Sequence, residues 1–295
     1  MSSNPIFKGV ATALITPLNE YGVDYDSFGN IIDWQIEQGI NALVIAGTTG
    51  EGSTLHDKDH RDVISWSIKR INKRVPVIVA TGSNDTSYAV ELTKYASNEG
   101  ADAVLVVTPY YNKATQNGLV KMYSTIADAS KVPLILYNVP SRTGVNIEPD
   151  TYAKLADHPM IKGIKEANSD ISKIVKTAHL IGNKLDIYSG NDDQIVPILS
   201  IGGLGVISVL SNIMPAETVA ICDKFFNGDV KGSADLQLKY LPLINALFSE
   251  VNPIPVKAAM ARMNKCKNIL RLPLTQMEHD NFTKLENLMK EQGII

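Results

Sequence analysis

Ala103-Val104-Leu105-Val106-Val107-Thr108-Pro109-Tyr110-Tyr111-Asn112 is the stretch that decides the fold. Its first half is an unbroken, largely β-branched apolar run, and its second half is hydroxyl-bearing and aromatic. An apolar run without alternation is what a parallel strand covered on both faces needs. The same texture recurs at Val10-Ile15, Ala42-Ala46, Val75-Thr81, Pro133-Val139, Ile161-Lys165, Leu185-Ser189 and Gly205-Val209, eight runs in all. Their centres lie roughly 20 to 35 residues apart, one strand-plus-crossover unit each. Helical spacing fills the gaps at Tyr25-Gln38, Asp57-Asn72, Thr86-Asn98, Asn117-Ala129, Pro149-Ala156, Ile171-Ile181 and Gln194-Ile201. The first of these follows Asp24, a cap residue, and stops at Gly39, a terminating glycine. Eight strand-helix repeats imply either a closed barrel or a large open sheet. The evenness of the repeat, and the lack of a G-x-G-x-x-G after the first run, favour the barrel. The expected fold is therefore α/β, a (β/α)8 TIM barrel with a C-terminal helical extension. From about Pro215 onward no strand is expected; Ala216-Phe226, Ser233-Val251, Pro255-Met263 and Gln276-Gln292 read as helices. This divides the chain into a barrel over 1–228 and a helical cap over 229–295, packed on it.

The 295 residues suit a barrel of about 250 residues plus an appendage. With 44% hydrophobic and 20% charged residues the chain can bury a large core. A net charge of −3 supplies no basic excess for nucleic acid, so cationic chemistry must come from individually placed side chains. Cys222 and Cys266 form no CxxC and read as reduced thiols. Met1-Ser2-Ser3-Asn4-Pro5 shows no basic-then-apolar leader, and no apolar run approaches the roughly 18 residues of a membrane span. The expected compartment is the cytoplasm, with neither membrane nor nucleic acid as partner.

In such a barrel the chemistry sits at the C-terminal ends of the strands. Those ends here are Gly47-Thr48-Thr49-Gly50-Glu51-Gly52-Ser53, Thr108-Asn112, Tyr137-Gly144, Lys165-Asn168 and Ser189-Asp193. They are rich in hydroxyls, with one lysine, one arginine and no histidine. Lys165 closes Ile161-Lys162-Gly163-Ile164-Lys165 and, by alternation, shares a face with Gly163 and Ile161. If that face is the interior, an amine points into the barrel mouth. A lysine amine is nucleophilic only when neutral, and an apolar enclosure favours that form. Such an amine forms an imine with a carbonyl, which stabilises an adjacent carbanion. Tyr137, Tyr111 and Thr48 supply hydroxyls for a proton relay. Arg142, between Pro140 and Gly144, can hold a carboxylate with two hydrogen bonds. On the residues alone other readings stay open: a snorkelling lysine, rim tyrosines, a turn-capping threonine, a solvated arginine. Gly47-Gly52 lacks the lysine of a P-loop and fits a backbone nest for a carboxylate as well as a phosphate cradle. His56 and His60 have i, i+4 spacing but no third ligand, so no metal is expected.

Four stretches carry a resemblance: Gly47-Thr48-Thr49-Gly50-Glu51, Val107-Thr108-Pro109-Tyr110-Tyr111-Asn112, Tyr137-Asn138-Val139-Pro140-Ser141-Arg142-Thr143-Gly144 and Gly163-Ile164-Lys165-Glu166-Ala167. Gly202-Ser208 and Asn252-Lys257 add to it. In order and over nearly the whole length, the chain resembles the class I aldolase-type pyruvate lyases, most closely the dihydrodipicolinate synthase family. The resemblance implies that Lys165 forms an imine with pyruvate. It implies that Tyr137 is the acid/base, relayed through Thr48 to a Tyr111 supplied by a neighbouring subunit. Thr49 would hold the pyruvate carboxylate, with Ile207 (through its backbone) and Gly190 as further substrate contacts. Arg142 would receive the carboxylate of L-aspartate 4-semialdehyde. The product would be 4-hydroxy-tetrahydrodipicolinate, on the route to diaminopimelate and lysine. The assembly would be a homotetramer, a dimer of dimers, with no cofactor. Sister activities, N-acetylneuraminate lyase or a keto-deoxy-sugar aldolase, share the lysine and the tyrosine, but a polyol site has no need of the Arg142 guanidinium. A non-catalytic carboxylate-binding barrel is the rival from another class. One departure concerns regulation. Family members inhibited by lysine typically carry a histidine after the Gly-Glu loop and a glutamate one turn past an asparagine. Here Asn84 and His60 are kept, but those two positions hold Asp57 and Tyr88. Weak or absent lysine feedback is the expectation.

Overall fold

The computed structural model describes residues 5–295; the N-terminal Met1-Asn4, read above as free of a leader, lies outside them. Eight parallel strands close into a barrel: β1 Gly9–Ala13, β2 Ala42–Ile45, β3 Val77–Ala80, β4 Ala103–Val107, β5 Leu134–Asn138, β6 Ile161–Glu166, β7 Asp186–Ser189 and β8 Gly205–Ser208. Each strand pairs with its sequence neighbours, and β8 pairs with β1 to complete the ring. That closure runs through the register pair Gly9 and Gly205. A Cβ at Gly205 would collide with the Gly9 carbonyl oxygen, so glycine is required for the two backbones to approach.

The helices follow in turn: α1 Tyr25–Glu37, α2 Asp57–Ile71, α3 Thr86–Glu99, α4 Gln116–Asp128, α5 Pro149–Leu155, α6 Ile171–Ile181, α7 Ile195–Ser200 and α8 Pro215–Phe226. Their starts are chemically marked. Asp24, Asp85, Thr115 and Asp170 each accept a hydrogen bond from a first-turn amide, at Ser27, Ser87, Gly118 and Lys173 respectively. Gly39 (φ +85°) and Gly100 (φ +100°) end α1 and α3 in the left-handed conformation that glycine adopts freely.

Alternation along the strands builds two cores. Val77, Val79, Val104, Val106, Leu134 and Leu136 pack outward against the helices. Ala11, Ala42, Ile78, Leu105, Ile135 and Ile207 fill the interior. Each fully buried aliphatic side chain stabilises the fold by about 1.5–3 kcal/mol, so the two layers together specify which face of every strand is inward. At the N-terminal end Phe7 stacks on Tyr188 with centroids 4.1 Å apart, and the Tyr188 hydroxyl donates to the Phe7 carbonyl at 2.8 Å.

Strand β6 departs from simple alternation. Leu134 pairs with Ile161, but Ile135 pairs with Gly163, so Lys162 is an extra residue on β6. The irregularity turns Ile161 outward to the helix layer, while Gly163 and Lys165 stay inward. The expectation that Ile161 shares the face of Lys165 is therefore corrected: one bulged residue shifts the period.

Beyond the barrel come α9 Val230–Ala246, α10 Ile254–Arg262 and α11 His279–Glu291. Helix α9 packs on α8 and α11, and α10 packs on α11. The helix expected over Ser233–Val251 begins earlier and ends at Ala246. The chain from Leu247 to Asn252 is irregular. A two-strand hairpin, Leu18–Asn19 with Gly22–Val23, has no counterpart in the sequence reading. It is too short to show a period. Among the described residues no helix is long and apolar enough to cross a membrane.

Candidate active site

The C-terminal strand ends surround a cavity of about 910 Å³, lined among others by Thr48, Thr49, Tyr137, Arg142, Lys165 and Gly190. Lys165 is 6% exposed and Tyr137 8%, so both reach the cavity from a largely buried position. They are a register pair between β5 and β6. The Lys165 Nζ lies 4.3 Å from the centroid of the Tyr137 ring. An amine beside a phenol in an enclosed cavity has an acid/base group next to the atom that would attack a carbonyl.

Two buried carboxylates, Glu166 and Asp192, stand near these residues, each in its own hydrogen-bonded setting. Glu166 accepts from Asn138 Nδ2 at 2.9 Å, from the Asn168 amide at 2.8 Å and from the Tyr152 hydroxyl at 2.9 Å. Burial pushes its carboxyl up to about 7, against those hydrogen bonds, which favour the charged form. Asp192, also buried, accepts from the Val209 and Leu210 amides at 3.0 and 2.9 Å and so ties the loop after β7 to the loop after β8. Burial raises its carboxyl too, opposed by hydrogen bonds from Ser208 and from the Leu210 and Val209 amides.

Thr48 and Thr49 sit on a compact turn. The Gly52 amide donates to the Gly47 carbonyl at 3.0 Å, and the Glu51 amide to the Thr48 carbonyl at 3.1 Å. A Cβ at Gly52 would strike the Ala46 carbonyl oxygen. From beneath, Glu51 forms a fully buried ion pair with Lys257 of α10 and accepts from the Arg271 amide at 2.9 Å. Burial pushes the Lys257 amine down, opposed by the carboxylate of Glu51. From the side, Asn252 Nδ2 donates to Thr49 Oγ1 at 3.0 Å. Arg142, on the one-turn helix Pro140–Thr143 that Gly144 ends, donates through Nη2 to the Asn252 carbonyl at 3.1 Å. Asn252 thus bridges the threonine turn and the arginine loop.

Two residues singled out in the sequence are not brought to this cavity. Tyr111 is 93% exposed, with a left-handed φ of +70°, and its side chain does not line the cavity of its own chain. Ile207 is fully buried in the barrel interior, in the same cluster as Tyr137, and does not line the cavity. Asn252, Glu51 with Lys257, Glu166 and Asp192 were not singled out as site residues. Glu51, Glu166 and Asp192 stand beside residues that were. Read without the family resemblance, their signal is a charge at the end of an apolar run. Asn252 and Lys257 come from a remote segment whose proximity no local pattern reveals. His60 lines the cavity, and burial lowers its imidazole. Among the described residues no three His, Cys, Asp or Glu side chains are grouped to hold a metal.

The model of the dihydrodipicolinate synthetase family matches residues 6–292. The chain is 53% identical over 290 residues to a 4-hydroxy-tetrahydrodipicolinate synthase of Clostridium perfringens, covering 98% of this chain and 100% of that one. It is 50% identical to the enzyme of that name from Acetivibrio thermocellus, over 99% of each. Among solved structures it is similar to dihydrodipicolinate synthase from Thermotoga maritima, with a TM-score of 0.96 and 42% identity over 98% of this chain and 100% of that chain. With the barrel, the cavity and the whole matched length in agreement, this chain belongs to the dihydrodipicolinate synthetase family.

Proposed function

We propose that this chain joins pyruvate, bound as an imine on Lys165, to L-aspartate 4-semialdehyde and yields 4-hydroxy-tetrahydrodipicolinate, on the route to diaminopimelate and lysine. The observation that carries the reading is the convergence of Lys165, Tyr137, Thr48, Thr49 and Arg142 on one cavity. The Lys165 amine adds to the keto carbon and water leaves. Loss of a methyl proton gives the enamine, whose carbon attacks the aldehyde. The amino group of the second substrate then displaces Lys165 by closing the ring. The imine is itself the electron sink, so the reaction needs no cofactor.

Tyr137 moves the protons, with Thr48 as relay and Tyr111 of a second copy completing the path. The exposure of Tyr111 on a loop outside its own cavity supports that assignment. Thr49 takes the pyruvate carboxylate, with Gly190 as a further contact, and Arg142 takes the carboxylate of the aldehyde. We assign the assembly as a homotetramer, a dimer of dimers, and the compartment as the cytoplasm, which suits the two free thiols Cys222 and Cys266. The barrel unit is taken as 1–228 and the cap as 229–295. Gly228 (φ +88°) and the Asp229 cap on the Gly232 amide support a boundary there. Lysine feedback is weak or absent: the Asp57 carboxylate is already paired with Arg61 at 2.9 Å and accepts from the Tyr88 hydroxyl at 3.0 Å.

Borohydride reduction in the presence of pyruvate tests the core of the reading. A mass adduct on Lys165 is expected, and its absence would end the imine assignment. Turnover of pyruvate with aspartate semialdehyde, compared with cleavage of sialic acid, tests the second substrate. Strong inhibition by sub-millimolar lysine would overturn the regulatory assignment.

A further inference from the structure

Tyr137 and Lys165 face one another across β5 and β6, and the next pair along, Asn138 and Glu166, is also in register. Strand side chains alternate, so the first pair enters the cavity and the second points outward, toward the helices. Asn138 is fully buried and Glu166 is 3% exposed, and neither lines the cavity. Between them they gather the surrounding polar groups. Glu166 accepts from Asn138, from the Asn168 amide and from Tyr152 of α5, as described above. Asn138 Nδ2 also donates to Asn146 Oδ1 at 2.8 Å, and Asn138 Oδ1 accepts from the Ile147 amide at 3.1 Å. The Glu166 carbonyl accepts from the Gly190 amide at 2.7 Å, and the Asn138 carbonyl from the Ala167 amide at 2.9 Å. The pair therefore ties together β5, β6, the start of β7's loop, α5 and the segment that follows Arg142.

Stability alone does not account for a polar network at this place. Well-packed apolar side chains of similar volume are often as stabilising as a buried charged group with its partners. What the network adds is geometry. The ladder between β5 and β6 is irregular at its start, where Lys162 bulges out between the Ile161 and Gly163 pairings. A bulge leaves the register and twist downstream to be set by something else. On the face away from the cavity the Leu136–Ile164 pair is apolar and non-directional, and the first pair there joined by a side-chain hydrogen bond is Asn138–Glu166, one residue past Tyr137 and Lys165. Misplacement of a reacting group by about 1 Å can cost on the order of a hundredfold in rate.

We propose that Glu166 is a positioning residue for imine formation: hydrogen-bonded to Asn138, it pins the end of β6 to β5 and so fixes the Lys165 amine against the Tyr137 ring. The proposal rests on the assignment of Lys165 as the imine-forming residue.

The test is single-turnover trapping with pyruvate and borohydride, followed on the intact full-length protein by mass. Melting is measured on each variant so that rates refer to folded molecules. In Glu166→Gln the amide oxygen still accepts from Asn138 and Asn168, and the amide nitrogen can donate to Tyr152. That variant is expected to trap at close to the wild-type rate. Glu166→Leu fills the space without the hydrogen bonds and should slow trapping about tenfold to a hundredfold, with kcat falling in parallel and the KM for pyruvate little changed. Asn138→Ser, which keeps the carboxyl and removes its cross-strand donor, should also slow trapping and serves if the leucine variant does not fold. Wild-type trapping rates in folded Glu166→Leu or Asn138→Ser overturn the proposal and leave the imine assignment standing. So does a Glu166→Gln variant as slow as Glu166→Leu, because geometry is then not what is lost. Failure of the wild-type protein to trap pyruvate removes the imine assignment and this proposal with it.

Discussion

At the scale of single residues the chemistry separates two neighbours that look alike in the sequence. Lys165 faces the cavity with its amine beside Tyr137, while Glu166 turns away into a closed hydrogen-bonded network. The two call for different experiments. Removing the Tyr137 hydroxyl takes away the proton carrier, so Tyr137→Phe should lower kcat by about 10²- to 10⁴-fold with little change in melting. Steady-state kinetics alongside a thermal melt would show it; loss of both together would point to packing instead. Glu166 leaves its mark on stability. Its carboxyl is raised from 4.5 in the unfolded chain to about 7 in the folded one. Across that window the unfolded chain has released a proton that the folded chain still holds. The stability this contributes is complete below pH 4.5 and is lost as pH rises through about 7. At about 1.4 kcal/mol per unit the loss is on the order of 3 kcal/mol. Glu166→Gln removes the titration, so its stability relative to wild type should improve from pH 5 to pH 8. Denaturant midpoints at the two pH values test this, and a constant difference between the proteins would refute it.

At the scale of elements, the turn Gly47-Gly52 is held from outside the barrel. The Glu51–Lys257 pair is fully buried, and Asn252 reaches Thr49 from the same C-terminal segment. Removing one partner of such a pair strands a charge in an apolar setting, which costs about 3–5 kcal/mol. Lys257→Met should therefore be strongly destabilised and should raise the KM for pyruvate as the threonine turn loosens. Adding Glu51→Gln should restore most of the stability, because no charge is then left unpaired. Urea unfolding of the two variants decides between a stranded charge and a mere loss of packing, which the second substitution would not repair. The same elements show what a sequence discloses. Most of the eight strands are legible because both of their faces are apolar, and α1 because Asp24 and Gly39 bracket it. Lys165, Tyr137, Thr48 and Arg142 stand out because each lies at or just past the point where an apolar run gives way to polar residues, whereas Thr49 stands out only through the family resemblance. The outward turn of Ile161 is not legible, since a bulge is a property of two paired strands and leaves no mark in one. Nor are Asn252 and Lys257 legible as site residues, because more than two hundred residues separate each from its partner Thr49 or Glu51. Only the folded chain brings them together.

At the scale of the whole molecule, a single chain offers a cavity that lacks one member of the proposed relay. Thr48 and Tyr137 line it, while Tyr111 stands 93% exposed at the surface on a loop with a left-handed φ. A large aromatic held there without contact to its own cavity is suited to reach into a second copy. In a two-fold assembly the exchange is mutual, each copy completing the site of the other. That arrangement predicts complementation between two disabled proteins. Lys165→Ala removes the imine and Tyr111→Phe removes the relay hydroxyl, so each alone should be nearly inactive. In a mixed dimer, the site built on the intact Lys165 receives its tyrosine from the lysine-deficient partner and is fully native, while the opposite site carries both defects. Random reassociation of equal amounts makes half the dimers mixed, each with one native site of two, so about a quarter of all sites should recover. Activity after mixing through a dissociating step, compared with mixing without one, measures this. Were Tyr111 to serve its own chain, every site would keep at least one defect, and no mixture would exceed the sum of its parts.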